Sequence, residues 1–363
     1  MAGVTATPNA ENAPHLVVAE GDARRGTRAE QPEPFLRGAA WPGTRKVAYP
    51  RVNPIDRMRV PGDTWMMASI PVGVRLEIVG DASAVDITYR ASVADGGNLA
   101  QAASTSFEAW TAGNGRIDAV PGEVGEGKAR VRLSGDPAVR TIVHLPEGML
   151  PEVLGVDAVG GSIAPAPAQP RVIVYGDSIA AGSAATSPGL TWPARVGREL
   201  GIDHVNLGYS GSARGELASA EQVAKLDADA YVVCHGTNCW NRTPHSTAQM
   251  AANLDAFLDV LRQDGPDTSI VVLSPVVRPD AEAQPNRLGA TLVNLRSVME
   301  DVTESRIAKG ETHLSLVRGG LLVGRDQIAD TVHPNDDGYA SIAAAMAPAI
   351  RAALAVSVPD GRG

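Results

Sequence analysis

The chain has 363 residues, 44% of them apolar, and a formal net charge of −9. That length can bury a large core and points to two domains. The acidic balance argues against nucleic acid and anionic membranes as main partners, because both demand a basic face; its plainest meaning is solubility.

The opening stretch, "MAGVTATPNAENAPHLVVAEGD", has no basic segment followed by an apolar core, so it does not read as a secretory signal. No apolar run approaches a membrane span. Two cysteines, Cys234 and Cys239, exclude a disulfide scaffold, and the pair has no zinc spacing. A cytoplasmic location is the expectation. Residues 1–30 are polar and rich in Pro and Ala, the composition of a flexible N-terminal tail.

Residues 31–160 carry short, partly alternating runs: "RLEIVG" (75–80), "AVDITYR" (84–90), "ARVRLSG" (129–135) and "RTIVHLP" (140–146). Gly, Pro and Asp separate them, and no amphipathic helix stands out. This pattern predicts antiparallel strands in an all-β sandwich, jelly-roll-like in form. Within it, "GEVGEGKA" (122–129) has the glycine and lysine spacing of a phosphate loop. It ends in Ala129 where Ser or Thr would hold Mg²⁺, and Glu123 and Glu126 would repel phosphate, so it reads as a loop. "GGSIAPAPAQPR" (160–171) then reads as a connector, with a Pro/Gly linker over 161–170.

From 171 to 363 the rhythm changes. The strand-like runs are "RVIVY" (171–175), "HVNLG" (204–208), "AYVVCHG" (230–236), "SIVVLSP" (269–275) and "HLSLVRG" (313–319). They are apolar throughout and alternate with helix-length segments, such as "STAQMAANLDAFLDVLRQD" (246–264) and "DDGYASIAAAMAPAIRAALA" (336–355). Strands of that kind predict a five-stranded doubly wound parallel sheet covered on both faces, flavodoxin-like in order. In such sheets the ligand sits beyond the carboxyl ends of the strands.

Chemistry-bearing residues gather at those ends. Gly176-Asp177-Ser178 follows the first strand, "NLGYSGSARG" (206–215) the second and "CHGTNCWN" (234–241) the third. "ADTVHPNDDG" (329–338) precedes the last helix. A serine hydroxyl is a poor nucleophile until a base takes its proton, and a carboxylate then fixes the imidazole tautomer. Asp330 and His333 stand three apart in one turn and can supply both. Alone, Ser178 would read as a helix cap, Asn238 as a turn residue and Gly211 as a loop glycine. The Gly-x-Ser-x-Gly elbow is absent because position 180 is Ala180, which argues against the ordinary α/β-hydrolase fold.

Taken in order, "GDS", "NLGYSG", "GTN" and "DxxH" resemble the four blocks of the GDSL, or SGNH, hydrolases over about 171–355. The resemblance implies Ser178, Asp330 and His333 as a catalytic triad, and an oxyanion hole from the Ser178 and Gly211 amides and the Asn238 side chain. Cys239 stands where the family often has Asp, and Ile179 where it often has Leu. Arg214, Trp240 and Arg242 flank the blocks and are candidate pocket residues, with surface or packing roles as the equal alternative.

The implied chemistry is acyl transfer through an acyl-enzyme, with no bound cofactor and no metal. A sandwich ahead of such a domain resembles two-domain carbohydrate esterases of bacteria. It also resembles a GDSL acyltransferase that moves a salicylyl group from coenzyme A onto a tetracycline-type polyketide. The latter resemblance implies a coenzyme A thioester donor and a hydroxyl acceptor as small-molecule partners. The esterase, hydrolysing O-acyl esters of a carbohydrate or small molecule, is the alternative. A non-catalytic carbohydrate-binding protein is a third.

Overall fold

The structure, a computed structural model, describes residues 30–93, 104–113, 115–241 and 243–357. The expected tail, up to residue 29, and Arg242 lie outside the described residues.

The N-terminal part is a sandwich of two antiparallel sheets. One contains β1 (Leu36–Arg37), β2 (Arg75–Val79), β4 (Ser106–Thr111), β5 (Gly115–Pro121), β7 (Thr141–His144) and β9 (Ala164–Pro165). Its order is β1-β2-β7-β4-β5, with β9 also paired to β2. The other contains β3 (Ala84–Ser92), β6 (Gly125–Arg132) and β8 (Leu150–Val159), with β3 in the centre. Leu76, Ile78, Phe107 and Val143 from the first sheet meet Val85, Ile87, Val131 and Val156 from the second in one core. The partial alternation of these runs is the trace of one buried and one outward face.

Three expectations need correction here. Residues 125–128, read as a loop, belong to β6 with the expected run from Ala129: Lys128 and Ala129 pair with Thr88 and Ile87 of β3. The helix-free reading fails at α1 (Gly62–Ala68) and at the 3₁₀ turn Pro54–Arg59 before it. The 161–170 connector is not free, since Ile78 and Val79 pair with Pro165 and Ala164, and the Ala166 amide donates to the Glu77 carbonyl at 3.0 Å.

The C-terminal part is built on β10 (Arg171–Gly176), β11 (Asp203–Gly208), β12 (Ala230–Cys234), β13 (Ser269–Leu273) and β14 (Leu314–Val317). All are parallel, in the order β11-β10-β12-β13-β14, the expected flavodoxin-like winding. The helices are α2 (Ser178–Ala181), α3 (Trp192–Leu200), α4 (Leu217–Ala224), α5 (Thr247–Asp264), α6 (Leu292–Ala308) and α7 (Asp336–Ser357). Helices α4, α5 and α6 bury one face of the sheet, α3 and α7 the other. Contrary to the sequence reading, α7 has the length and low charge of a membrane-crossing helix. Here Tyr339, Ile342, Met346 and Ile350 pack it onto the sheet.

The two parts share a core. Val52, Val60, Met67 and Ala68, from the segment around α1, pack with Val205, Leu207 and Val223 of the α/β part. Arg51 is fully buried between them, donating to the carbonyls of Met67 (2.5 Å), Ile70 (2.6 Å), Gly208 (2.6 Å) and Asn206 (3.0 Å). Arg75 pairs with Asp203 at 3.0 Å and donates to the His204 carbonyl at 3.0 Å. The α1 segment is thereby held over the carboxyl end of β11.

Candidate active site

The parallel strand β10 ends at Gly176, where a side chain would collide with its neighbours. A Cβ would come within 2.5 Å of the Cys234 carbonyl and 2.6 Å of the Ala180 methyl. Asp177 then caps α2, its Oδ1 accepting the Ile179 amide at 3.0 Å, while Oδ2 accepts the Thr237 amide at 3.3 Å. Burial pushes the Asp177 carboxyl up, against these two amides and the nearby His333. Ser178 is the first residue of α2 and is 4% exposed. So the helix-cap role falls to Asp177, and the Ser178 hydroxyl is left for another partner.

That partner is His333, whose Nε2 lies 2.9 Å from Ser178 Oγ. The far ring nitrogen, Nδ1, lies 2.7 Å from Asp330 Oδ2. Asp330 Oδ1 accepts the amides of Val332 at 3.0 Å and His333 at 2.8 Å. Burial raises the Asp330 carboxyl, but the His333 ring and those two amides outweigh it and hold the group below its ordinary value. The turn itself is pinned. Ile328 bridges to Pro334, the Ala329 amide donates to the His333 carbonyl at 2.8 Å, and Asn335 accepts the Asp337 and Gly338 amides at the start of α7. An imidazole so placed can take the hydroxyl proton while the carboxylate steadies the resulting imidazolium.

Gly211 and Asn238 line the same cavity as Ser178 and His333. Gly211 stands at φ +70°, a backbone that suits glycine. The Asn238 side chain donates to the Ser212 carbonyl, which orients its amide group. Neither the Ser178 nor the Gly211 amide has a protein partner among the described residues. Three donors thus remain for an oxygen that gains negative charge.

The flanking residues fare differently. Arg214 is buried and does not line the cavity; its Nη2 pairs with Asp63 at 2.5 Å and donates to the Gly211 carbonyl at 3.1 Å. It braces the Gly211 loop against α1. Trp240 is also off the cavity wall, donating from Nε1 to the Gln284 carbonyl at 2.7 Å. Cys239 is buried in the core beside the Arg214 carbonyl, so it does not shape the cavity next to Asn238.

The cavity holds about 550 Å³. Sequence reading missed the N-terminal residues of its wall: Arg51, Met66, Met67, Ile70, Val72, Ser104 and Glu147. It also missed Arg278, on the loop after β13. The strand-end rule pointed to that loop, but nothing in "VVRPD" marks the arginine. Among the described residues, no group of three or more His, Cys, Asp or Glu side chains is placed to hold a metal ion.

Solved structures share this architecture. A protein from Bacteroides ovatus described as a GDSL-like lipase aligns over 88% of this chain and 96% of its own, at 21% identity and a TM-score of 0.73. The salicylyl-acyltransferase SsfX3 from a tetracycline biosynthetic pathway aligns over 90% and 97%, at 23% identity and a TM-score of 0.75. A family two carbohydrate esterase from Clostridium thermocellum aligns over 78% and 92%, at 16% identity and a TM-score of 0.59. These likenesses are of fold. No curated protein matches the chain. The sequence profile of one family does match, over residues 169–351, the span that carries every strand of the parallel sheet and the Ser178, His333 and Asp330 contacts: the chain belongs to the GDSL-like lipase/acylhydrolase family.

Proposed function

We propose that the protein is a serine acyltransferase that moves an acyl group from a thioester donor, such as one of coenzyme A, to a hydroxyl compound. The observation that carries the reading is the hydrogen-bonded chain Asp330–His333–Ser178, 2.7 and 2.9 Å, opening into a cavity walled by both parts of the molecule. Ser178 Oγ attacks the donor carbonyl carbon while its proton passes to His333 Nε2. The carbonyl electron pair moves onto oxygen, where the Ser178 and Gly211 amides and the Asn238 side chain receive it. Collapse breaks the bond to the thiolate, which leaves with the proton from His333. The acceptor hydroxyl then gives His333 its proton and attacks the acyl-serine, and Ser178 departs with that proton restored.

Water discharges the same acyl-enzyme in the second reading, an esterase. The observation that favours it is exposure at the relay, since the Asp330 side chain is 51% exposed and that of His333 22%. The test is intact-protein mass spectrometry after mixing with acyl thioesters and esters. We expect one acyl mass on the wild-type chain and none on Ser178→Ala. Slow loss of that mass in buffer, and fast loss on adding a hydroxyl compound, is the transferase result. Rapid loss that no hydroxyl compound changes is the esterase result. Acylation of Ser178→Ala at the wild-type rate removes both readings.

A further inference from the structure

Among the polar side chains of the cavity wall that the relay leaves unused, two stand out, Arg278 and Glu147, one from each part of the molecule. Arg278 follows β13 at the carboxyl end of the parallel sheet and is only 7% exposed. Its Nε and Nη2 donate to the two Asp280 carboxylate oxygens at 2.8 and 3.0 Å, and its guanidinium lies 4.9 Å from the centre of the Trp240 ring. Its backbone amide donates to Glu282 at 3.0 Å. The remaining nitrogen, Nη1, has no partner among the described residues. A guanidinium already held by Asp280 and the Trp240 ring loses little freedom when it donates once more. Asp280 balances its charge, so an uncharged oxygen suits it without a new unpaired ion.

Glu147 lies on the loop after β7. Its Oε1 accepts the Gly73 amide at 2.8 Å, and Oε2 has no partner among the described residues. Arg51 and the apolar side chains of Met66, Met67, Ile70 and Val72 complete this part of the wall. A donor and an acceptor left half-satisfied in such surroundings carry a desolvation cost that a ligand's oxygens can relieve.

We propose that Arg278 and Glu147 are specificity-determining residues for the acyl acceptor. They bind one oxygen-rich hydroxyl compound, Arg278 donating from Nη1 to a carbonyl or hydroxyl oxygen and Glu147 accepting a hydroxyl proton, with the compound's apolar face on the Met66–Val72 wall. The assignment rests on the acyl-transfer reading and adds the chemistry of the acceptor to it.

The experiment is calorimetric binding to the full chain carrying Ser178→Ala, so that no turnover is needed. The probes are naringenin, which carries a ketone and several hydroxyls, and 2-naphthol, which carries one hydroxyl alone. We expect Arg278→Met and Glu147→Gln each to weaken naringenin about ten- to a hundredfold and 2-naphthol much less. Glu147→Gln keeps an oxygen for the Gly73 amide, and Arg278→Lys, which keeps the charge but loses the fork, should recover only part of the loss. Equal losses for both probes, no loss for naringenin, or no naringenin binding before substitution would each overturn the assignment. A second arm uses the Ser178 protein acetylated with 4-nitrophenyl acetate. Naringenin binding that persists on the acetyl-enzyme supports an acceptor site; binding that disappears gives the two residues to the donor and overturns it. Failure of Ser178 to acetylate strikes the acyl-transfer reading instead, and the binding comparison stands apart from it.

Discussion

Thr331 is β-branched yet stands at φ +89°, within the turn that separates Asp330 from His333. Such backbone costs about 1–3 kcal/mol and persists only when its surroundings impose it, here through the two amides on Asp330 Oδ1. Thr331→Gly should therefore raise stability by about 1 kcal/mol, net of the entropy glycine adds to the unfolded chain, and lower kcat by loosening the relay. Thermal unfolding and steady-state rates check both signs; a less stable variant would show the turn to be unstrained. Asn238→Ala should lower kcat by about a hundredfold and leave KM nearly unchanged, because the proposed bond forms only as the oxyanion develops. A change in KM alone would make Asn238 a substrate-binding or structural residue. The contacts joining Ser178, His333 and Asp330 were legible only from the ordered blocks taken together, since Ser178 alone reads as a helix cap. For Arg214 and Trp240 the sequence left pocket and packing roles open, because neighbourhood in sequence does not give side-chain direction; both stay off the cavity wall. The ion pair that turns Arg214 away joins it to Asp63, 151 residues earlier, which no local pattern encodes.

At the scale of elements, the parallel strands could be read because burial on both faces leaves an unbroken apolar run. The α1 segment could not, because its apolar positions serve a core built mostly by the other half of the chain. Val60, Met67 and Ala68 form no amphipathic repeat, and they join Val205, Leu207 and Val223 in one core. The connector was misread for a related reason: its prolines suggest a spacer, while the two-residue β9 pairs with the edge of β2. The placement of α1 carries a prediction. Met66 lines the cavity and is 42% exposed, whereas Met67 lines it and is buried. Met67→Ala should cost about 2–5 kcal/mol through lost core packing. Met66→Ser should stay within about 0.5 kcal/mol of wild type and shift discharge of the acyl-enzyme toward water, since it makes one wall of the cavity polar. Denaturant melts and the ratio of transferred to hydrolysed product measure the two effects. An unchanged ratio in Met66→Ser would place α1 outside the acceptor's path.

The whole molecule behaves as one cooperative unit if the contacts between its halves are as extensive as Arg51, Arg75 and the shared core imply. A fragment beginning at residue 161 would lack Val52, Val60, Met67 and Ala68 from its core, so point substitutions are the sounder probe of the N-terminal part. Glu147 offers one, because it faces both Arg51 and the cavity. Burial lifts its carboxyl from 4.5 to about 7, opposed by the Gly73 amide and Arg51 and aided by Glu108. Between those two values the folded chain keeps a proton that the unfolded chain has lost. Folding then takes up a proton, so this residue's contribution to stability falls as pH rises from about 4.5 to about 7 and is level above. The buried histidines act in the opposite sense. His144, His204 and His235 are held below their ordinary value by burial, so the unfolded chain binds more protons until pH passes 6.5. The wild-type curve mixes the two trends, and the difference between wild type and Glu147→Gln isolates the carboxyl. Glu147→Gln should gain on wild type by an amount that grows between pH ~4.5 and ~7 and is level above, reaching at most about 3 kcal/mol. Chemical denaturation of both proteins at matched pH values measures it. A difference that is flat across that window, or that shrinks as pH rises, would mean that Glu147 ionises in the fold as it does in water and that the cavity is open to solvent there.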